Sequence, residues 1–379
     1  MRILLVGEYS RLHNSLKEGL TDLGHEVVLM GNKDGFKGYP VDIYINHSFQ
    51  NRVLHKIKVG AYKLTGLDLG SLEIVHKVKK QVNSLARFDV VQLINESAFS
   101  IQPKAELELL QFLKTKTDKL FVLSCSYDHA SVKFMLNNGF TYSALTPYLE
   151  NNSLKDHYKF KLQYLNEDFS LLHQYVVDHS NGIISTDLDY HLPLVGKPNY
   201  LGLIPNPINT DKISYIPIKT DGKIKIFHGI NTHASLTKGN MFFTKALKII
   251  EEKYADKVEI TITTNIPYKE YIQRYNDCHI LLDMVYAYDQ GYNALEAMGK
   301  GKVVFTGAEQ EWLGHYNLEA DAVAINAQPD VAYLVEKLSW LIEHPEKIKE
   351  ISLQARAFIE REHYYKNIAQ QYLETWSIN

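Results

Sequence analysis

Apolar positions along this chain follow two alternating rhythms. Short unbroken runs at Arg2–Gly7, Glu26–Met30, Asp42–Asn46, Asp89–Ile94, Leu120–Ser124 and Gly182–Ser185 have the length and composition of strands buried on both faces. Between them the apolar residues return at helical spacing, first over Ser15–Leu23 and later over the long amphipathic stretch Tyr158–Val177. Leu203-Ile-Pro-Asn-Pro-Ile-Asn209, followed by Pro217, is dense in turn residues and predicts a linker. The alternation then restarts, with strands predicted at Lys223–His228, Val258–Thr263, Ile280–Met284, Lys302–Thr306 and Ala322–Ile325. Helices are predicted at Asn240–Tyr254, Tyr268–Asn276, Val331–Glu343, Pro345–Glu362 and, rich in aromatics, Tyr364–Trp376. Strands alternating with helices predict parallel α/β sheets. Two such halves on one linker predict a cleft between them, the usual place for a small-molecule site.

Composition narrows the picture. The 379 residues exceed one ordinary core, and 45% hydrophobic with 22% charged content describes a globular protein. A net charge of −3 gives no global attraction to nucleic acid. Two cysteines, Cys125 and Cys278, sit in or beside apolar runs and read as free thiols in a reducing compartment. The apolar run at the start is too short for a secretion signal, and no stretch nears the ~20 residues that cross a bilayer. The expected setting is the cytoplasm, with the inner face of the membrane as a second location. Basic residues concentrate between Arg52 and Arg87, interleaved with Val53, Leu54, Ile57, Val59 and Leu64. That pattern suits peripheral contact with an anionic membrane, but a solvated helix face is the commoner cause of it.

Candidate chemistry belongs in the loops after the strands. The first loop, Gly7-Glu8-Tyr9-Ser10-Arg11-Leu12-His13, lacks the G-x-G-x-x-G fingerprint and so argues against a nicotinamide or flavin site. It fits a polar acceptor-binding loop or an ordinary capped one. Asn95 follows another strand, and Cys125-Ser-Tyr-Asp128-His129 a third, where Asp128 and His129 suit proton chemistry at a cleft. A Cys125–His129 nucleophile pair lacks an activating partner. In the second half, Gly229-Ile-Asn231-Thr-His233 leads to Lys238-Gly239, a cation at a helix mouth that suits a diphosphate or is merely solvated. Asn265-Ile266-Pro267 ends the next strand and can offer backbone groups to a planar base.

Asp289-Gln-Gly291-Tyr292-Asn293-Ala294-Leu-Glu296 reads as a glycine turn entering a helix, with Asn293 as cap and Glu296 in the first turn. The spacing of Asn293 and Glu296 fits a plain capping box equally well. Asp187-Leu-Asp189 imitates a metal-binding Asp-x-Asp, but Thr186 or Asp187 is better placed to cap the next helix. With two cysteines and no close-spaced histidine pair, no metal is expected.

Taken together, these segments resemble the retaining "group 1" glycosyltransferases of the GT-B fold. The resemblance rests on Ile226-Phe-His-Gly with Lys238-Gly239, on Asp277-Cys-His-Ile-Leu-Leu-Asp283, and on Gly291…Ala-Leu-Glu296-Ala-Met…Gly-Lys-Val-Val. In the first half it rests on the opening strand, Gly24-His-Glu-Val27 and Ile204-Pro-Asn-Pro-Ile-Asn209. It implies two Rossmann-like domains, residues 1–205 for the acceptor and 206–363 for the donor, with a C-terminal helix (364–379) crossing back to the first. It implies that Glu296 binds the donor ribose as the second Glu of a Glu-x7-Glu motif, and that Lys238 neutralises the donor diphosphate. Gly291, Tyr292, Asn293 and Ala294 would hold sugar and phosphate, with Gly229, Asn231, His233, Asn265, Ile266, Tyr288 and Asp289 around the donor. Gly7, Glu8, Tyr9, His13, Asn95 and Asp128 would face the acceptor, Asp128 acting in catalysis beside Lys238 and Glu296. Tyr288 stands where the motif has its first Glu, and the arginine that usually precedes the lysine is missing.

The expected function is metal-independent, cofactor-free transfer of a sugar, of hexosyl type, from a nucleoside-diphosphate sugar to a glycan or glycolipid hydroxyl, as in bacterial surface-polysaccharide synthesis. The alternatives are a catalytically silent sugar-nucleotide-binding protein and a sugar-nucleotide epimerase of the same fold.

Overall fold

The computed structural model of the chain describes residues 1–49 and 51–379. Its named strands form two sheets in which every pairing is parallel. The first contains β1 (Arg2–Val6), β2 (Glu26–Gly31), β3 (Ile43–Tyr44), β4 (Phe88–Leu93), β5 (Thr117–Ser124), β6 (Gly182–Ser185) and β7 (Tyr200–Leu203), ordered β3-β2-β1-β4-β5-β6-β7. The second contains β8 (Ile224–Ile230), β9 (Val258–Thr264), β10 (Ile280–Leu282), β11 (Val303–Thr306) and β12 (Ile325–Asn326), ordered β12-β11-β10-β8-β9.

Ile3–Val6, Val90, Val91, Val303, Val304 and Phe305 are fully buried, because helices cover both faces of each sheet. Strand order reverses between β1 and β4 in the first sheet and between β8 and β10 in the second. Loops leaving those strands therefore diverge and open a crevice at each carboxyl edge. The molecule has the two-domain Rossmann-like α/β fold.

The last helix, Tyr365–Ile378, returns to the first domain and packs on Leu12–Asp22. Gly19 permits this: a Cβ there would lie 2.5 Å from the Tyr365 carbonyl oxygen. Trp376 is buried, and its Nε1–H donates to Gln92 Oε1 at 3.2 Å. Where the chain crosses between domains, its two passages bond to each other. Ile208 N–H donates to the His363 carbonyl at 2.7 Å, Tyr365 N–H to that of Ile208 at 3.2 Å, and His363 Nδ1–H to that of Asn206 at 2.9 Å.

Two local expectations are corrected and one strand is added. The first helix starts at Leu12 rather than Ser15, because Arg11 turns left-handed at φ 77° and lets Ser15 N–H reach its carbonyl at 2.9 Å. Tyr158–Val177 is not one helix but Lys155–Leu162, a 3-10 turn at Gln163–Leu165, and Glu167–His179. Asn166, extended at ψ 156°, breaks it, and the break lets both Tyr158 and Tyr164 reach the core. Strand β7, just before the linker, was not foreseen; its Tyr200 hydroxyl meets Ser185 Oγ at 2.6 Å.

Candidate functional site

Strand β8 runs into Gly229, whose missing side chain makes room for the Tyr271 ring; a Cβ would sit 2.5 Å from it. The loop beyond is braced by asparagines. Asn231 Oδ1 accepts from His233 N–H at 3.0 Å, and Asn265, left-handed at φ 51°, accepts from Thr232 N–H at 3.1 Å. Ile266 follows at the end of β9. Lys238 then ends a single turn, and Gly239, at φ 66°, starts the Asn240–Tyr254 helix. Only glycine fits there, since a Cβ would lie 2.1 Å from Val285 Cγ2.

Strand β10 delivers Asp283 to the same place. Lys238 Nζ donates to Asp283 Oδ1 at 2.8 Å, and Asn293 Nδ2 donates to the same oxygen at 3.0 Å. Tyr271 hydroxyl donates to Asn293 Oδ1 at 3.0 Å. Asp283 is buried with Oδ2 unpartnered, whereas the lysine side chain remains 32% exposed. A buried carboxylate thus holds a cation at the cleft, beside the N-terminus of the Tyr292–Gly299 helix. That arrangement offers positive charge and free backbone N–H groups to one anion.

The capping-box reading is corrected. The helix begins at Tyr292 with Gly291 in the cap position and no side-chain cap bond. Asn293 lies inside the first turn and is drawn sideways to Asp283 and Tyr271; Ala294, buried, packs beneath. Glu296 therefore lies beyond the first turn, half-buried. Burial raises its pKa, and Arg11, Lys300 and Lys37 pull it back. Two of those cations, Arg11 and Lys37, come from the first domain.

Other expected donor residues bond across the domain boundary. Tyr288 is buried against Phe140 and Tyr142, with ring centroids 4.7 and 5.8 Å away, and its hydroxyl accepts from Thr141 N–H at 2.8 Å. Tyr142 hydroxyl donates to Glu309. Asp189 of the first domain accepts from the N–H groups of Tyr288 and Asp289, each at 3.1 Å, and Asp289 Oδ2 accepts from Leu188 N–H at 2.9 Å. Burial raises the pKa of Asp189 to about 6 and of Asp289 to about 7. Asp187 is raised too, first by burial and then by these two neighbours. Asp187 occupies the cap position of Leu188–Leu194 without capping it by side chain. Among the described residues, no group of three or more His, Cys, Asp or Glu is arranged to hold a metal ion. Tyr292 also crosses the cleft, its hydroxyl 2.6 Å from both Ser15 Oγ and the Pro207 carbonyl.

The first domain's expected acceptor residues are mostly internal. Gly7, at φ 86°, packs on Ile94. His13 is fully buried, donating from Nδ1 to the Gly7 carbonyl at 2.7 Å with Nε2 against Gln92, and burial pushes its pKa down to about 3. Asp128, expected in catalysis, caps a helix: it accepts from Ser131 N–H at 2.7 Å and from Ser124 hydroxyl. Asn95, buried, accepts from Ser97 N–H at 3.0 Å. Glu8 accepts twice from Asn14 through one oxygen, leaves the other buried without a partner, and is raised by burial to about 7. Tyr9 is half-buried beside it.

Sequence reading missed Asp283 as a site residue, although a lone carboxylate closing an apolar strand was a usable signal. It also missed Arg11, Lys37, Asp189 and Tyr142, which act across the cleft and leave no local trace.

Comparisons with known proteins agree with this architecture. Residues 235–374 match a family model described as glycosyl transferase-like. No curated protein matches the chain in sequence. Among solved structures, Anabaena HepE in complex with UDP and glucose is similar at 14% identity and TM-score 0.62, over 100% of both chains. Sucrose-phosphate synthase from Thermosynechococcus elongatus is similar at 10% identity and TM-score 0.62, over 100% of this chain and 99% of that one. UDP-GlcNAc 2-epimerase from Neisseria meningitidis bound to UDP-GlcNAc is similar at 12% identity and TM-score 0.57, over 100% of both chains.

Proposed function

We propose that the protein is a glycosyltransferase that moves a sugar from a nucleoside-diphosphate donor to a hydroxyl acceptor. The observation that carries this reading is the Lys238–Asp283–Asn293 network, which fixes one cation at the mouth of the Tyr292–Gly299 helix. The family match over residues 235–374 spans the same segment.

In this reading the diphosphate sits between Lys238 and the helix N-terminus, and Glu296 accepts from the ribose hydroxyls. The acceptor oxygen bonds to the anomeric carbon while the bond from that carbon to the phosphate oxygen breaks. The electron pair leaves with the diphosphate, where lysine and helix dipole stabilise it. The acceptor proton passes to the departing phosphate oxygen, and configuration is retained. Nothing in this route calls for a metal.

The test is nucleotide-sugar turnover with and without an acceptor, preceded by a thermal-shift screen of nucleoside diphosphates and their sugars. Loss of turnover in Lys238→Ala and Glu296→Ala with unchanged melting supports the assignment; unchanged turnover in both sinks it. Conversion of the donor without acceptor identifies an epimerase instead. One observation favours the silent, binding-only reading: Tyr288, at the place of the motif's first Glu, is buried between Phe140 and Tyr142. Nucleotide binding without turnover is the result that selects it.

A further inference from the structure

The helix Arg52–Thr65 behaves unlike any other long helix of the chain. Asn51 caps its start by accepting from Leu54 N–H at 2.8 Å, and Gly66, left-handed at φ 72°, ends it. None of its residues is buried. Leu54, Lys58 and Ala61 face the body of the protein and are half-buried, and Lys58 Nζ lies 3.3 Å from Asp68. At 100° per residue, Val53, Ile57 and Leu64 share a narrow stripe along one flank of the helix. Those three are 69%, 52% and 88% exposed. Leu67 and Leu72, also exposed, follow in the turn and the next helix.

Arg52, Lys56 and Lys63 lie on one edge of that stripe, by the same geometry. The helix carries no acid, and among the described residues these three have no ion-pair partner. A solvated helix face would carry polar side chains at its exposed positions; here one exposed flank, beside the outward-pointing cations, is wholly aliphatic. A core role is equally excluded, since the stripe touches no core. No helix among the described residues can cross a membrane, so the stripe is not part of a span.

We propose that this helix docks flat on an anionic lipid bilayer, with Val53, Ile57 and Leu64 among the acyl chains and Arg52, Lys56 and Lys63 on the lipid phosphates. Both halves of the pattern are then used, whereas a nucleic acid would engage only the cations. A second copy of the chain would set two helices of like charge against each other. The helix hangs from the loop after β3, at the carboxyl edge that faces the second domain. Docking so placed holds the cleft close to the membrane. The inference stands whether or not the cleft transfers sugar.

Co-sedimentation of the full chain with vesicles tests it, comparing phosphatidylcholine alone with phosphatidylcholine mixed with phosphatidylglycerol. Binding is expected only to the mixed vesicles and should fade with added salt. Replacing Arg52, Lys56 and Lys63 together with serine should weaken it about a hundredfold, the loss expected of three lipid-facing cations. Ile57→Asp with Leu64→Asp should abolish it while thermal melting stays unchanged, because neither residue packs in the core. A Leu64→Trp variant should show a blue-shifted emission increment on mixed vesicles alone. No binding to mixed vesicles, equal binding to both kinds, or binding that survives the Ile57/Leu64 change would each overturn the proposal.

Discussion

The two carboxyl edges that face each other across the cleft use similar polar residues in opposite ways. On the first domain's edge, Asp128 caps a helix, His13 bonds inward to Gly7, and Asn95 closes its own turn. On the second domain's edge, Asp283 sends its bonds outward, anchoring Lys238 and Asn293 at the open end of a helix. A polar residue after a strand therefore says little until its partners are known. What distinguishes a binding edge is charge that is held firmly and still left accessible.

The largest effect expected from disturbing that contrast is at Lys238. Lys238→Ala should lower turnover by roughly 10²–10³, as removal of an electrostatic stabiliser does. Asp283→Asn should produce part of the same loss by freeing the lysine; steady-state kinetics on both variants separates charge from anchoring. Next comes the aromatic clasp. Tyr288→Ala should cost about 3–5 kcal/mol in chemical denaturation, as truncation of a packed aromatic does, and should enlarge the particle in small-angle scattering.

On the other edge, Asp128→Ala should cost only about 1–2 kcal/mol, the value of a helix cap. Acceptor-dependent turnover should not move; a loss there with the fold intact would place Asp128 in the acceptor site. The smallest effect is the dependence on pH. Asp189 and Asp289 have pKa values raised in the folded state to about 6 and about 7. Their contribution is full below the ordinary aspartate value of 3.8 and is lost as pH rises through those two values. Melting temperature should fall between about pH 4 and about pH 7, and Asp189→Asn should flatten part of that slope. Asp289 and Glu8, the latter also raised to about 7 by burial, will keep the rest.

Much of the fold was legible because parallel strands buried on both faces are written as unbroken apolar runs. Gly182–Ser185, Val331–Glu343 and Pro345–Glu362 coincide with their elements to the residue. β7 was not legible, since Tyr200–Leu203 is a half-buried edge strand. Within the site, Lys238 beside Gly239 stood out locally, as a cation before a left-handed glycine. Arg11 and Lys37 near Glu296, and Asp189 on the Tyr288–Asp289 backbone, join segments far apart in the chain. Sequence spacing carries no record of such meetings. The supposed capping box failed for a related reason: Asn293 had a better partner in Asp283 than its own helix could give it.

The bonded pair of chain crossings at Ile208 and His363–Tyr365 has a mechanical consequence. Two strands tied side by side act as a single pivot line, so shearing or twisting one domain on the other would break those ties. Swinging about the line would not. The molecule is left with one inexpensive motion, and the bonds that Tyr288 and Asp289 make to the first domain are what such a swing would have to part.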